Sequence, residues 1–227
     1  PDIDVLYSFI GAKVNYLLHH RGHTHTIVGA LVLAAAAFAI ARWLLTRRGS
    51  APSSRDLTWL AGVFAVTSLL HIGMDFTNNY GVHPFWPLSN RWFYGDTIFI
   101  AEPLLWAACA PLALTFRSKL ARLMVAAVLT MGVGLAAFTG FVPLLPAITL
   151  TVVIAAMLLL GFRAKPPVAL AGGVALWFTV TATFAVCSHL AARKVDTFAA
   201  NLFPDGRLLD RLLSPVPPNP LCWVEMV

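Results

Sequence analysis

Residues 26–45 read TIVGALVLAAAAFAIARWLL, twenty residues carrying one charge, Arg42. A run of that length, helical at 1.5 Å per residue, covers the hydrocarbon core of a bilayer. Similar runs recur along the 227-residue chain, which is 59% hydrophobic and 11% charged. The composition therefore excludes a soluble globular domain and predicts an all-α, polytopic transmembrane helix bundle. Its net charge of +6 is not read as a nucleic-acid signal, because basic residues in the short loops of a membrane protein set orientation and meet anionic lipid. Cys109, Cys187 and Cys222 show no metal-type spacing and are expected to be packing residues without a disulfide.

Working outward from the first run, about six spans are predicted. The second covers about Leu57–Asp75, the third Thr97–Phe116, the fourth ends near Val142, the fifth near Phe162, and the sixth covers Val168–Ala191. Residues 1–192 are expected to form one transmembrane domain. Residues 193–227 are read as a short extracytoplasmic tail, in which Pro215, Pro217, Pro218 and Pro220 argue against another span. The chain opens on Pro1 without Met, and its end is Pro-rich, so further segments are expected on both sides. Arg and Lys concentrate after the first, third and fifth spans, whereas the second and fourth loops hold only Arg91. The positive-inside rule makes the first set cytoplasmic, and Arg193 and Lys194 oppose it mildly.

That orientation puts a chemically distinct set of residues at one outer face. Immediately before the first run stands His19-His20-Arg21-Gly22-His23-Thr24-His25, with four of the chain's seven histidines. His71 and Asp75 close the second span at spacing i, i+4, which puts both on one face of a helix. Asp2 and Asp4 can face one site if their segment is extended or turned. Ionisable groups at membrane depth are expensive unless paired or functional. Imidazole nitrogen and carboxylate oxygen without thiolate suit Zn2+, Mn2+ or Fe2+. A catalytic ion of this kind lowers the pKa of a bound water, and Arg21 is a candidate clamp for an anionic oxygen.

Pro1-Asp2-Ile3-Asp4, His20-Arg21-Gly22-x-Thr24-His25, His71-x-x-x-Asp75, Tyr80-Gly81 and Trp86-Pro87 together resemble the YdjM-like family of bacterial inner-membrane metal-dependent hydrolases. The resemblance covers roughly the first half of the chain. It also extends distantly to the zinc-dependent phospholipase C class, which mixes His and Asp ligands on helices. Thr26 replaces the family's usual Ser, and Glu102-Pro103 stands where Asp-Pro is common. The resemblance implies a multi-pass hydrolase with Asp2, Asp4, His20, His25, His71 and Asp75 as metal ligands. Glu102 or Asp4 is then the candidate general base and Arg21 the anion clamp. The implied cofactor is one or two divalent ions, Zn2+ before Mn2+ or Fe2+. The expected substrate is a lipid or small-molecule phosphoester at the outer interface of the inner membrane.

Plainer readings stand beside these. His19, His23 and His83 read as loop histidines, Asp96 as the N-cap of the third span, and His189 as a packing residue. Trp86, Trp92, Phe93 and Tyr94 read as an aromatic belt at headgroup depth. A metal or proton transporter is disfavoured because the middle and inner parts of the spans carry almost no ionisable groups. A non-enzymatic, metal-stabilised module would show closed coordination. An HExxH zinc protease helix is absent from the sequence.

Overall fold

A computed structural model describes residues 2–9, 21–113, 115, 118–138 and 142–226. The chain forms two compact units, Pro1–Gly95 and Asp96–Val227. Among the described residues four helices are long and apolar enough to cross a membrane, Ile27–Arg47, Ser54–Phe76, Leu144–Arg163 and Pro166–Leu202. The fold is mostly helical, as expected, but the described residues do not bear out about six spans.

The first unit is a pair of packed helices, α1 (Ile27–Arg47) and α2 (Ser54–Phe76), with a 3-10 helix Asp2–Phe9 and a 3-10 turn His23–His25 at one end. Thr26 caps α1: its hydroxyl oxygen accepts from Gly29 N–H (2.9 Å) while its O–H donates to the His23 carbonyl (2.9 Å). Gly29 allows this close approach, since a Cβ there would lie 1.9 Å from the His23 carbonyl oxygen. A Ser53–Asp56 capping box starts α2. The loop after α2 folds back through the pair Val82 and Phe93, whose backbones exchange hydrogen bonds of 2.9 and 2.8 Å. Ala30, Ile72 and Val82 form the buried centre of this end.

The second unit holds α3 (Pro103–Ala108), α4 (Ala110–Ala113), α5 (Lys119–Phe138), α6 (Leu144–Arg163), α7 (Pro166–Leu202) and a hairpin of β1 (Leu212–Val216) with β2 (Asn219–Met226). The predicted third span is not one helix. Residues 97–102 lie outside helix, Glu102 caps α3 with Pro103 in its first turn, and the helix breaks at Cys109. Pro111 supplies the reason, because it brings no N–H for Ala107 and its ring crowds that carbonyl. Asp96 is accordingly not an N-cap. It sits at φ 46°, and its carbonyl accepts from Ser188 Oγ at 2.6 Å. Helix α7 continues eleven residues past the expected end at Ala191, burying Ala192, Val195 and Ala199 on one face. Leu213 and Trp223 of the hairpin pack against that extension. The residues read as a Pro-rich tail therefore include a helix end and a β-hairpin. The three cysteines are free. Cys109 and Cys222 are exposed rather than packed, and His189 is exposed as well.

Candidate metal centre

One end of the α1–α2 pair gathers most of the expected ligands. Asp2 comes from the first 3-10 helix, His25 from the turn before α1, and His71 and Asp75 from the last two turns of α2. One donor atom from each of the four lies within 4.8 Å of all the others. His25 Nε2 is 3.2 Å from Asp2 Oδ1 and 3.2 Å from Asp75 Oδ2. His71 Nε2 is 3.4 Å from each of the same two oxygens. Bonds of about 2.0–2.2 Å to tetrahedral corners would put donors about 3.3–3.6 Å apart, so these spacings fit a small divalent ion. His71 Nε2 and Asp75 Oδ2 are buried atoms with no hydrogen-bond partner among the described residues. An ion between the donors would satisfy both.

The surrounding contacts hold His25 in place. Its ring is fully buried. Its Nδ1 lies 3.0 Å from Thr24 Oγ1 and 3.2 Å from Asp4 Oδ2, while the Thr24 hydroxyl donates to Asp4 Oδ2 at 2.9 Å. A proton placed on Nδ1 would lie between a hydroxyl and a carboxylate, and the Nε2 lone pair would then face Asp2 and Asp75. Carboxylates placed this way behind a ligating histidine set its tautomer and raise its basicity. Asp4, expected as a ligand or base, is 2% exposed and occupies this orienting place. It also accepts from the Arg21 backbone N–H at 2.8 Å.

Arg21 differs from its expected role as an open anion clamp. It is 3% exposed and held at φ 57°, a left-handed conformation unusual for a residue with a side chain. Its Nη1 donates to Asn78 Oδ1 (2.7 Å) and its Nη2 to Asp75 Oδ1 (2.9 Å), and its guanidinium lies 5.0 Å from the Tyr80 ring centroid. It orients Asp75 and offsets one charge of the three carboxylates. Three carboxylates against one guanidinium leave two negative charges from these four side chains, a balance that suits a divalent cation. Asn78 Oδ1 also accepts from Tyr80 N–H at 2.9 Å.

The loop after α2 braces the histidine turn from outside. His83, expected as an ordinary loop histidine, is buried; its Nε2 donates to the Gly22 carbonyl at 3.1 Å, and its Nδ1 lies 3.0 Å from the Asn90 side-chain amide. Ile27 N–H donates to the Pro84 carbonyl at 2.9 Å. Trp86 contacts the His23 ring with centroids 4.2 Å apart, and Trp92 stacks on His83 at 4.4 Å. These rings support the site loop, whatever their depth in a membrane. Sequence reasoning missed the parts played by Asn78 and His83. Asn78 could have been found at i+3 from Asp75, whereas His83 had no local signal. His19 and His20 lie outside the described residues.

A family model described as YdjM inner membrane protein matches residues 1–142, well over half the chain and all of this centre. The chain belongs to that family. The family's inner-membrane character and the four long apolar helices of this YdjM-family chain support a membrane location. Comparison with curated proteins and with solved structures gave no match, and none of the comparisons brings out a likeness to zinc-dependent phospholipase C.

Glu102, expected as a base, belongs to the second unit. Its Oε1 accepts from Leu104 N–H at 3.0 Å as the cap of α3, and its Oε2 is buried without a hydrogen-bond partner among the described residues. In the same unit, Asp96 has its carboxyl pushed above the ordinary aspartate range. Burial is the largest cause, and a hydrogen bond from the Leu213 backbone opposes it.

Proposed function

We propose that this protein is a membrane-embedded, metal-dependent hydrolase acting on an ester at the outer headgroup layer, a lipid phosphoester first among candidates. The observation that carries the reading is the square of four contacts, 3.2–3.4 Å, joining two imidazole nitrogens to two carboxylate oxygens. Asp2, His25, His71 and Asp75 would hold the ion, with Zn2+ preferred and Mn2+ or Fe2+ as alternatives from the donor set. When bound, such an ion supplies Lewis acidity and a water acidic enough to yield hydroxide near neutral pH.

The chain's own residues divide the remaining work. Asp4 and Thr24 hold the proton on His25 Nδ1, and Arg21 with Asn78 fixes Asp75. Asp2 is the exposed carboxylate of the set, its side chain 62% accessible, so an ester would enter on its side and Asp2 would accept the proton of the attacking water. The cluster lies at the α1 start and α2 end, so if the two helices span a bilayer it would stand near one membrane surface. The opposite end of the pair carries Arg47, Arg48 and Arg55, which favours an outward-facing site.

Four protein donors also suit a second reading, a closed structural ion that steadies the unit without turnover. The test begins with elemental analysis of detergent-purified protein beside His25→Ala and Asp75→Ala. Metal present in the parent and lost from both variants, with helix content unchanged, is the expected result. Phospholipid ester turnover that disappears on chelation and returns on reloading would establish the hydrolase. Metal that stays bound with no turnover, and no exchangeable water by relaxation of a Mn2+-loaded sample, would give the site to the structural reading.

A further inference from the structure

The second unit carries a groove of about 800 Å³ between the last turns of α7 and β2. Leu190, Lys194 and Phe198 recur at i, i+4 along one stripe of its helical wall, and Arg193, Thr197 and Asn201 along the next. Leu221 and Trp223 of β2 form the facing wall. The apolar part of the lining is open: Leu190 is 52%, Phe198 60% and Leu221 83% exposed.

Its depth follows from helix length. Arg163 and Lys165 stand just before α7 and mark one membrane surface. Arg193 and Lys194 come 27 and 28 residues after Pro166, about 40–42 Å along the helix, which is close to the full thickness of a bilayer with its headgroups. The two cations thus reach the opposite headgroup layer, with Trp223 beside them where indole rings favour the interface. Asp196, the nearest acid on α7, is engaged by Arg211 at 2.8 Å. Arg193 and Lys194 form no ion pair among the described residues. Glu225 also lines the groove, leaving one positive charge in excess.

We propose that this groove binds an anionic phospholipid. The phosphate lies by Arg193 and Lys194, the polar headgroup faces Thr197 and Asn201, and an acyl chain follows Leu190 back into the apolar part of α7. This site is independent of the metal centre and of the hydrolase reading.

The test reconstitutes the full chain with mixed phosphatidylglycerol and phosphatidylcholine, strips it with detergent, and quantifies retained lipid by native mass spectrometry. The expected result is selective retention of phosphatidylglycerol, reduced roughly tenfold or more in Arg193→Gln/Lys194→Gln. Leu221→Asp, which adds a carboxylate to the groove on an exposed strand position, should cause a similar loss and serves if the double variant does not fold. Arg47→Gln/Arg48→Gln, another exposed cationic pair, should retain the lipid. Equal loss in that control, or no preference over phosphatidylcholine, would overturn the proposal. So would displacement by millimolar inorganic phosphate, which would identify a free-anion site.

Discussion

At the residue scale, the centre depends on side chains that touch no ligand position. Arg21 gives Nη1 to Asn78 and Nη2 to Asp75 Oδ1, so Arg21→Gln frees the Asp75 carboxylate, whose other oxygen faces the histidines, and leaves its charge uncompensated. Metal affinity should fall about 10–100-fold, the usual effect of losing an orienting partner, with helix content unchanged; competition against a fluorescent chelator measures it. Gly29→Ala should weaken the metal as well, because the added methyl meets the His23 carbonyl and must push away the turn that carries His25. An unchanged affinity in that variant would show that the turn can relax without moving the donor. The residues that cluster here were legible as candidates: His71 and Asp75 share a helix face by spacing, and the motif around His25 stands at the mouth of a long apolar run. The assignments of Asp4 and Arg21 were less so. Whether a carboxylate faces the ion or the far nitrogen of its histidine depends on tertiary contacts that spacing does not contain.

Between elements, close backbone approaches decide what the second unit tolerates. A Cβ on Gly173 would lie 2.5 Å from the Ala108 carbonyl oxygen, so Gly173→Ala must drive α7 away from α3. A loss of about 1–3 kcal/mol is expected, the range for overpacking, read as a lower midpoint in detergent thermal unfolding. Asp96 gives the opposite sign. Its carboxyl titrates above the unfolded value, so its ionised form costs stability, and that cost fades as pH falls through the folded pKa. Asp96→Asn should therefore stabilise the protein at pH 8, by less than about 1 kcal/mol given its partial exposure, and have little effect at pH 4. Asn also accepts the left-handed φ at this position. The element boundaries were the least legible part of the chain. Apolar composition alone carried the third span through Pro111, where the backbone cannot follow. The α7 extension was hidden because its buried stripe of Ala192, Val195 and Ala199 consists mostly of small residues. The prolines of β1 and β2 suggested only that no helix would form, and a two-stranded hairpin satisfies that as well as a loop does.

At the scale of the whole molecule, the four donors and every orienting contact described for them come from the first compact unit, Pro1–Gly95. That unit contains two of the four long apolar helices, packed on each other and capped by their own residues. If these contacts suffice, residues 1–95 inserted in a membrane should bind metal at the same metal-to-protein ratio as the full chain. They should also lose it on the same substitutions, His25→Ala and Asp75→Ala. Elemental analysis beside circular dichroism reads both quantities at once. A fragment with full helix content but no metal would show that the four-donor set is insufficient alone and that the second unit contributes to binding. A fragment that binds metal yet shows no ester turnover, beside a full chain that does, would separate holding the ion from using it. The second unit would then be the place to look for the groups that complete the reaction.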